Sequence, residues 1–195
     1  MSITLTAKLK AEYENLFDTC VIDANREHAV EKIKVKIVAN RTRYEEVEAQ
    51  TKVPWYVVGV IHNMEGSLNF RTHLHNGDPL TAKTIHVPKG RPPGKPPFKW
   101  EESAIDALKF DHMTDVKKWF LAQILFKLEG FNGFGYRTRH PEVLTPYLWS
   151  FSNHYTKGKF VADGKFDPNA ISRQCGAAVL LQSMVAEHII DIPRS

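Results

Sequence analysis

Trp55-Tyr-Val-Val-Gly-Val-Ile-His-Asn-Met64, running into Glu65-Gly-Ser-Leu-Asn-Phe70, decides the fold. Ten residues with scarcely a polar side chain read as a helix buried on every side, because a surface helix keeps one wet face. The polar run Gln50-Thr51-Lys52 closes what comes before, and Pro54 suits the first turn of the new helix. Glu65 is the one carboxylate of the stretch. A carboxyl group at the end of a buried helix is poorly solvated, and desolvation disfavours its charged form. Glu65 therefore has the character of a general acid near neutral pH.

Upstream, residues 5–50 are rich in Lys, Glu and Arg with apolar residues at helical spacing. Leu5, Leu9, Tyr13 and Leu16-Phe17 form one series, and Val30, Ile33, Ile37, Val38 and Tyr44 another. Two or three helices are expected, with Asp23 as a candidate N-cap. Downstream the helical period disappears. Asn76-Gly77 is a tight-turn dipeptide between Phe70–His75 and Pro79–Val87, which reads as a small β-hairpin. Pro88–Pro97 is a proline-rich loop, expected at the rim of a cleft. Helices resume over Glu101–Lys109 and Val116–Leu128. Pro141–Gly164 is aromatic and irregular, and Pro168 is expected to start a last helix over Asn169–Glu187. The class is mainly α with one hairpin. The organisation is a set of N-terminal helices over residues 1–53, packed on a core of 54–195 as one compact unit.

A glycosidase acid needs a second group across the sugar to act on water or on positive charge. The expected hairpin offers Asp78, and Thr72, Thr81 and Thr84 are other groups able to position water. Asp78 can equally cap the Asn76-Gly77 bend. Further on, Phe131, Phe134, Tyr136, Tyr147, Trp149 and Tyr155 alternate with Asn132, Ser150, Ser152 and Asn153. Apolar rings with interspersed polar groups suit a ligand pocket, and equally a loop-rich core.

The run Ile61-His-Asn-Met-Glu65-Gly-Ser-Leu-Asn-Phe70 resembles the catalytic-glutamate segment of the lysozyme-like superfamily, which includes goose-type lysozymes, lytic transglycosylases and chitinase-like enzymes. Asn132-Gly-Phe-Gly-Tyr136 and Pro146–Tyr155 resemble cleft segments of the same group, and Tyr147-Leu-Trp-Ser150 with Gly158-Lys-Phe-Val-Ala-Asp-Gly164 is similar to phage and bacterial lysozyme-type proteins. The resemblance covers roughly residues 54–185. It departs from the family at Gly66, where a serine commonly follows the glutamate, and in lacking a Gly-Leu-Met-Gln segment. What it implies is a lysozyme-like α+β fold with the hairpin after the catalytic helix. The implied activity is cleavage of peptidoglycan or a related N-acetylated polysaccharide. Glu65 and Asp78 would be catalytic, and His75, Asn76, Asn132, Tyr136, Tyr147 and Asn153 would bind substrate. No cofactor and no metal is required.

Two other readings stay open. His62, Glu65, His73 and His75 are zinc-ligand types, which would make a zinc hydrolase, although the His-Glu-x-x-His helix signature is missing. A non-catalytic glycan-binding module would keep the cleft without the chemistry. Asp163–Asp167 holds two acids near a glycine but lacks the spacing of a calcium loop. Cys20 and Cys175 are too few for a disulfide framework and are expected as free, buried thiols.

With 195 residues, 43% of them apolar, the chain can build a sizeable core, and its net charge of +4 fits attraction to a polyanion. The Lys89–Lys99 segment carries no pattern of a nucleic-acid module, so no nucleic-acid partner is expected. No stretch approaches the length of a membrane helix, and a monomer without membrane insertion is expected. Met1–Lys10 has no apolar signal core, so the expectation is synthesis in the cytoplasm, with delivery to the wall by another system.

Overall fold

The computed structural model describes Ile3–Arg194. Met1, Ser2 and Ser195, which the expected terminal segments include, lie outside the described residues. The chain is mainly α with one small two-stranded antiparallel sheet. It divides into two compact units, one of residues 1–34 with 120–195 and one of residues 35–119. The expected boundary at 53/54 falls inside the second unit.

The second unit holds the helix that sets the fold. Its helices are the end of α2 (Glu27–Ala39), then α3 (Arg41–Thr51), α4 (Trp55–Gly66) and α5 (Trp100–Phe110). From Trp55 to Met64 every residue of α4 is buried, as a helix apolar on all faces must be. Pro54 stands at its N-cap. α3 packs on both α4 and α5. Between them Tyr44, His62, Phe70 and Trp100 form one ring cluster, with centroids 4.5 Å apart for His62–Phe70 and 4.6 Å for His62–Trp100. The Arg43 guanidinium covers Phe70 at 3.7 Å and pairs with Glu101. Ser67 and Leu68 both take left-handed backbone angles, φ 50° and 60°. They end α4 abruptly, and the Leu68 N–H closes on the His62 carbonyl at 3.2 Å.

In the other unit, α1 (Ala7–Asp18) starts at Thr6, whose hydroxyl accepts the Leu9 N–H, and buries Leu9, Tyr13 and Phe17 at four-residue spacing. It packs on α6 (Leu121–Phe131). The short helices α7 (Gly135–Arg139) and α8 (Pro146–Trp149) follow, and α9 (Ala177–Ala186) closes the unit against α8. Gly176 makes that last contact possible, because a Cβ there would lie 2.2 Å from the Leu148 carbonyl oxygen.

The strands are β1 (Lys159–Ala162) and β2 (Lys165–Asp167), joined through Asp163-Gly164 with Gly164 at φ 67°. The paired sheet thus lies here and not at residues 70–87. In the latter segment Asn76-Gly77 does form a turn, but the chain pairs only at a single bridge, Thr72–Pro79. Three other expectations shift. Asp23 caps a turn through the Asn25 N–H, ahead of α2. α6 begins at Leu121 and not at Val116. Asp167 takes the N–H groups of Asn169 and Ala170 into a turn, so the last helix waits until Ala177.

Candidate active site

Glu65 lies in the last turn of α4. The residue is half-buried, at the edge of a helix that is otherwise sealed. The segment 69–80 folds back on this helix end. Gly77, at φ 79°, comes so close that a Cβ would lie 2.7 Å from the Glu65 carbonyl oxygen. Only a glycine meets both demands without strain. Thr72 sits by Gly66, its hydroxyl oxygen 3.0 Å from where a Gly66 Cβ would be, and it donates to the Asn69 carbonyl.

The loop that approaches Glu65 is fixed from within. The Asn76 carboxamide accepts the Asp78 N–H at 3.0 Å and donates to the Val87 carbonyl. Asp78 is buried, and both its oxygens are used. Oδ2 accepts the N–H groups of Ile85 (2.8 Å) and His86 (3.0 Å), and Oδ1 meets the His86 ring at 2.6 Å. Burial alone would raise the pKa of this carboxyl, but the His86 and Ile85 donors outweigh it and hold it below its ordinary value. That is the environment of a structural carboxylate.

His73 and His75 anchor the same loop to α5. The His73 Nδ1 is 2.7 Å from the Ser103 hydroxyl and its Nε2 is 2.8 Å from the Ala82 carbonyl. The His75 Nε2 is 2.9 Å from Asp106, whose carboxylate also takes the Arg91 guanidinium. Burial lowers the pKa of His75, against the pull of Asp106. Ser103, His75 and Asp106 carry the residue types of a hydrolytic triad. Ser103 is completely buried, however, its closest partner is His73, and its contact with His75 is long at 3.5 Å, so it is no nucleophile.

His62 faces inward to the ring cluster. Its Nδ1 meets the Tyr44 hydroxyl at 3.1 Å, and its Nε2 has no hydrogen-bond partner among the described residues. Burial lowers its pKa to about 4, helped by Arg43 and opposed by the Asn69 backbone. The zinc reading of His62, His73, His75 and Glu65 finds no support in these partners. Among the described residues, no group of three or more His, Cys, Asp or Glu could hold a metal ion.

The remaining expected residues belong to the other unit. Asn132 and Tyr136 come together on a cavity of about 520 Å³, along with Phe134, Arg139, Phe160 and Asp163. The Tyr136 hydroxyl accepts the Phe160 N–H at 3.0 Å. Asn153 is a peg, since its carboxamide accepts the Val21 N–H and donates to the Thr19 carbonyl. Tyr147 is buried on α8.

One cluster escapes a reading of the sequence. Glu129, near the end of α6, is 2% exposed. Its carboxylate accepts the Tyr13 hydroxyl at 2.5 Å and the Arg137 fork at 2.9 and 3.0 Å, and Arg137 also binds Glu12. Burial, and then Glu129, raise the pKa of Tyr13. A signal for it exists, because Leu128-Glu129-Gly130 repeats the pattern Met64-Glu65-Gly66. Cys20 and Cys175 are free and buried, and burial pushes the Cys175 thiol up to about 12, which disarms it. No helix of the described residues is long and apolar enough to cross a membrane.

No protein-family model, no curated protein and no solved structure matches the chain.

Proposed function

We propose that the chain is a glycosidase that cleaves the glycan strands of peptidoglycan or a related N-acetylated polysaccharide, with Glu65 as the general acid. One contrast carries this reading. Among the described residues, two glutamates lie inside the last turn of an apolar helix, while Glu187, at the C-cap of α9, is paired with Lys34. Glu129 is sealed in the core, 2% exposed. Glu65 stands half-buried in the last turn of α4, where the loop at Gly77 comes close to its backbone carbonyl. A general acid needs partial desolvation together with access.

In the proposed reaction the Glu65 carboxyl gives its proton to the glycosidic oxygen as the bond to the anomeric carbon breaks. The bonding pair leaves with the oxygen, the sugar develops oxocarbenium character, and water then adds to the anomeric carbon and gives up a proton, which restores the Glu65 carboxyl directly or through solvent. Asp78 enters as the residue that shapes the loop, since its lone pairs already serve Ile85 and His86. Thr72 is the polar side chain that the loop brings next to Gly66, and it is the group best able to orient water there. In its own unit, the 520 Å³ cavity with Asn132 and Tyr136 has the aromatic and polar lining that stacks on and bonds to sugar rings.

The test is Glu65→Gln on purified peptidoglycan, with fragments identified by mass spectrometry. Removing a general acid is worth about 10²–10⁴ in rate. A loss of that size with an unchanged circular dichroism spectrum is expected, together with new glycan ends from the wild type. Full activity in Glu65→Gln, or wild-type fragments cut only at peptide bonds, would overturn the proposal.

A further inference from the structure

From Pro79 to Trp100 the chain contains no Asp or Glu, yet it carries Lys83, Lys89, Arg91, Lys95 and Lys99. Among the described residues, the two most exposed large apolar side chains belong to this same stretch. Val87 is 87% exposed and Ile85 is 67% exposed. Neither position results from a loose loop. The Asp78 carboxylate binds the Ile85 and His86 N–H groups, and Asn76 holds the Val87 carbonyl. Behind the tip, the Thr84 N–H donates to the Arg91 carbonyl at 2.8 Å, and the Thr84 hydroxyl accepts the Arg91 N–H at 2.9 Å. The Arg91 guanidinium is fixed on Asp106. Arg91 is thereby neutralised, whereas Lys83 and Lys89 are exposed and have no ion pair among the described residues.

We infer that this loop docks on an anionic phospholipid surface, with Ile85 and Val87 entering the interface and Lys83 and Lys89 meeting the headgroup phosphates. A water-soluble polyanion would satisfy the lysines but would leave two aliphatic side chains in water. A bilayer surface accepts both, since its phosphates lie just above an apolar layer. The rigid backbone behind the tip means that little ordering accompanies docking. The absence of a membrane-length helix among the described residues fits attachment to the surface and not a span. The inference does not depend on the role of Glu65.

The experiment is co-sedimentation of the full chain with large vesicles of phosphatidylglycerol and phosphatidylcholine, compared with phosphatidylcholine alone. Three proteins are compared, namely wild type, Ile85→Ser with Val87→Ser, and Lys83→Gln with Lys89→Gln. Binding to the anionic vesicles is expected to fall as salt rises. The double lysine variant should bind about 25-fold more weakly, at about fivefold per lysine. The double serine variant should lose at least roughly tenfold, with its salt dependence retained. All four substitutions are on the surface, and unchanged thermal unfolding of each variant serves as the check on folding. Absence of binding to anionic vesicles overturns the inference. So does full binding by the double serine variant, and so does tighter capture of wild type by a soluble teichoic acid than by vesicles, which would mark a plain polyanion patch.

Discussion

His62 makes the chain sensitive to acid in a way that can be calculated. Its ring is completely buried among Tyr44, Phe70 and Trp100, and its pKa falls from an ordinary 6.5 to about 4. The folded value lies below the unfolded one, so as pH drops the unfolded chain takes up the proton first. Stability is therefore lost as pH falls through 6.5, and the loss levels off near pH 4. Each pH unit that separates the folded from the unfolded value is worth about 1.4 kcal/mol. The whole effect is then about 3 kcal/mol, of which about 2 kcal/mol has developed by about pH 5. His75 is displaced in the same direction and adds to the slope. The contribution of His62 is isolated by comparing wild type with His62→Phe in urea titrations at about pH 7, 6 and 5. The variant leaves the Tyr44 hydroxyl without its His62 partner, which lowers stability by a similar amount at every pH and so leaves the slope untouched. The wild-type loss between about pH 7 and 5 should exceed that of the variant by about 2 kcal/mol. Equal slopes in the two proteins would refute the argument, because they would mean that the His62 ring gains its proton as readily folded as unfolded.

Two further outcomes concern the loop beside Glu65. Gly77→Ala should destabilise the protein, by about 1–2 kcal/mol from the left-handed backbone alone and by more from a Cβ that meets the Glu65 carbonyl, and under the proposed function it should also slow glycan cleavage. Unchanged urea midpoints would show that the close approach is not obligatory. Asp78→Asn should cost about 1–3 kcal/mol, read by thermal unfolding, because the Ile85 and His86 donors lose a charged acceptor. The Asp78 pKa is depressed in the folded state, so its contribution is present above the ordinary carboxylate value of about 3.9 and is lost as pH falls below it. The asparagine variant should lack that acid-induced loss.

The helices are legible wherever the apolar pattern is strong. α4 is evident because a run from Trp55 to Met64 with no wet face has no other stable home. The paired strands lie elsewhere than expected for a physical reason. Asn76-Gly77 and Asp163-Gly164 are both turn dipeptides, and the local sequence does not say which turn will carry a ladder. At Asn76-Gly77 the flanking residues are consumed by longer contacts, with His73 and His75 drawn to Ser103 and Asp106 on α5. At Asp163-Gly164 the strands pair, and Phe160 and Phe166 face each other across them with their rings 5.5 Å apart. Pro168 suits the opening of a helix, but the preceding Asp167 captures the next two N–H groups and holds the chain in a turn.

The carboxylates show why a site is harder to read than a core. Glu65 and Glu129 share a local signature, a Glu-Gly pair in the last turn of an apolar helix, and the sequence around them does not tell the two apart. What separates them is remote. Glu129 is met by Arg137, eight residues on, and by Tyr13, 116 residues back, and that fork and hydroxyl occupy both of its oxygens. Asp78 has the position of a catalytic partner because it follows a turn, yet the donors that occupy it, Ile85 and His86, are seven and eight residues further on, in a stretch with no recognisable period. A lone carboxylate in an apolar stretch thus narrows the search to a few positions. The choice among them depends on burial and on the donors that the fold delivers. Glu129 and Asp78 are both buried, 2% and 6% exposed. Glu65 is half-buried in the last turn of α4, and this difference in burial is why the proposal puts the general acid there and not at the other two.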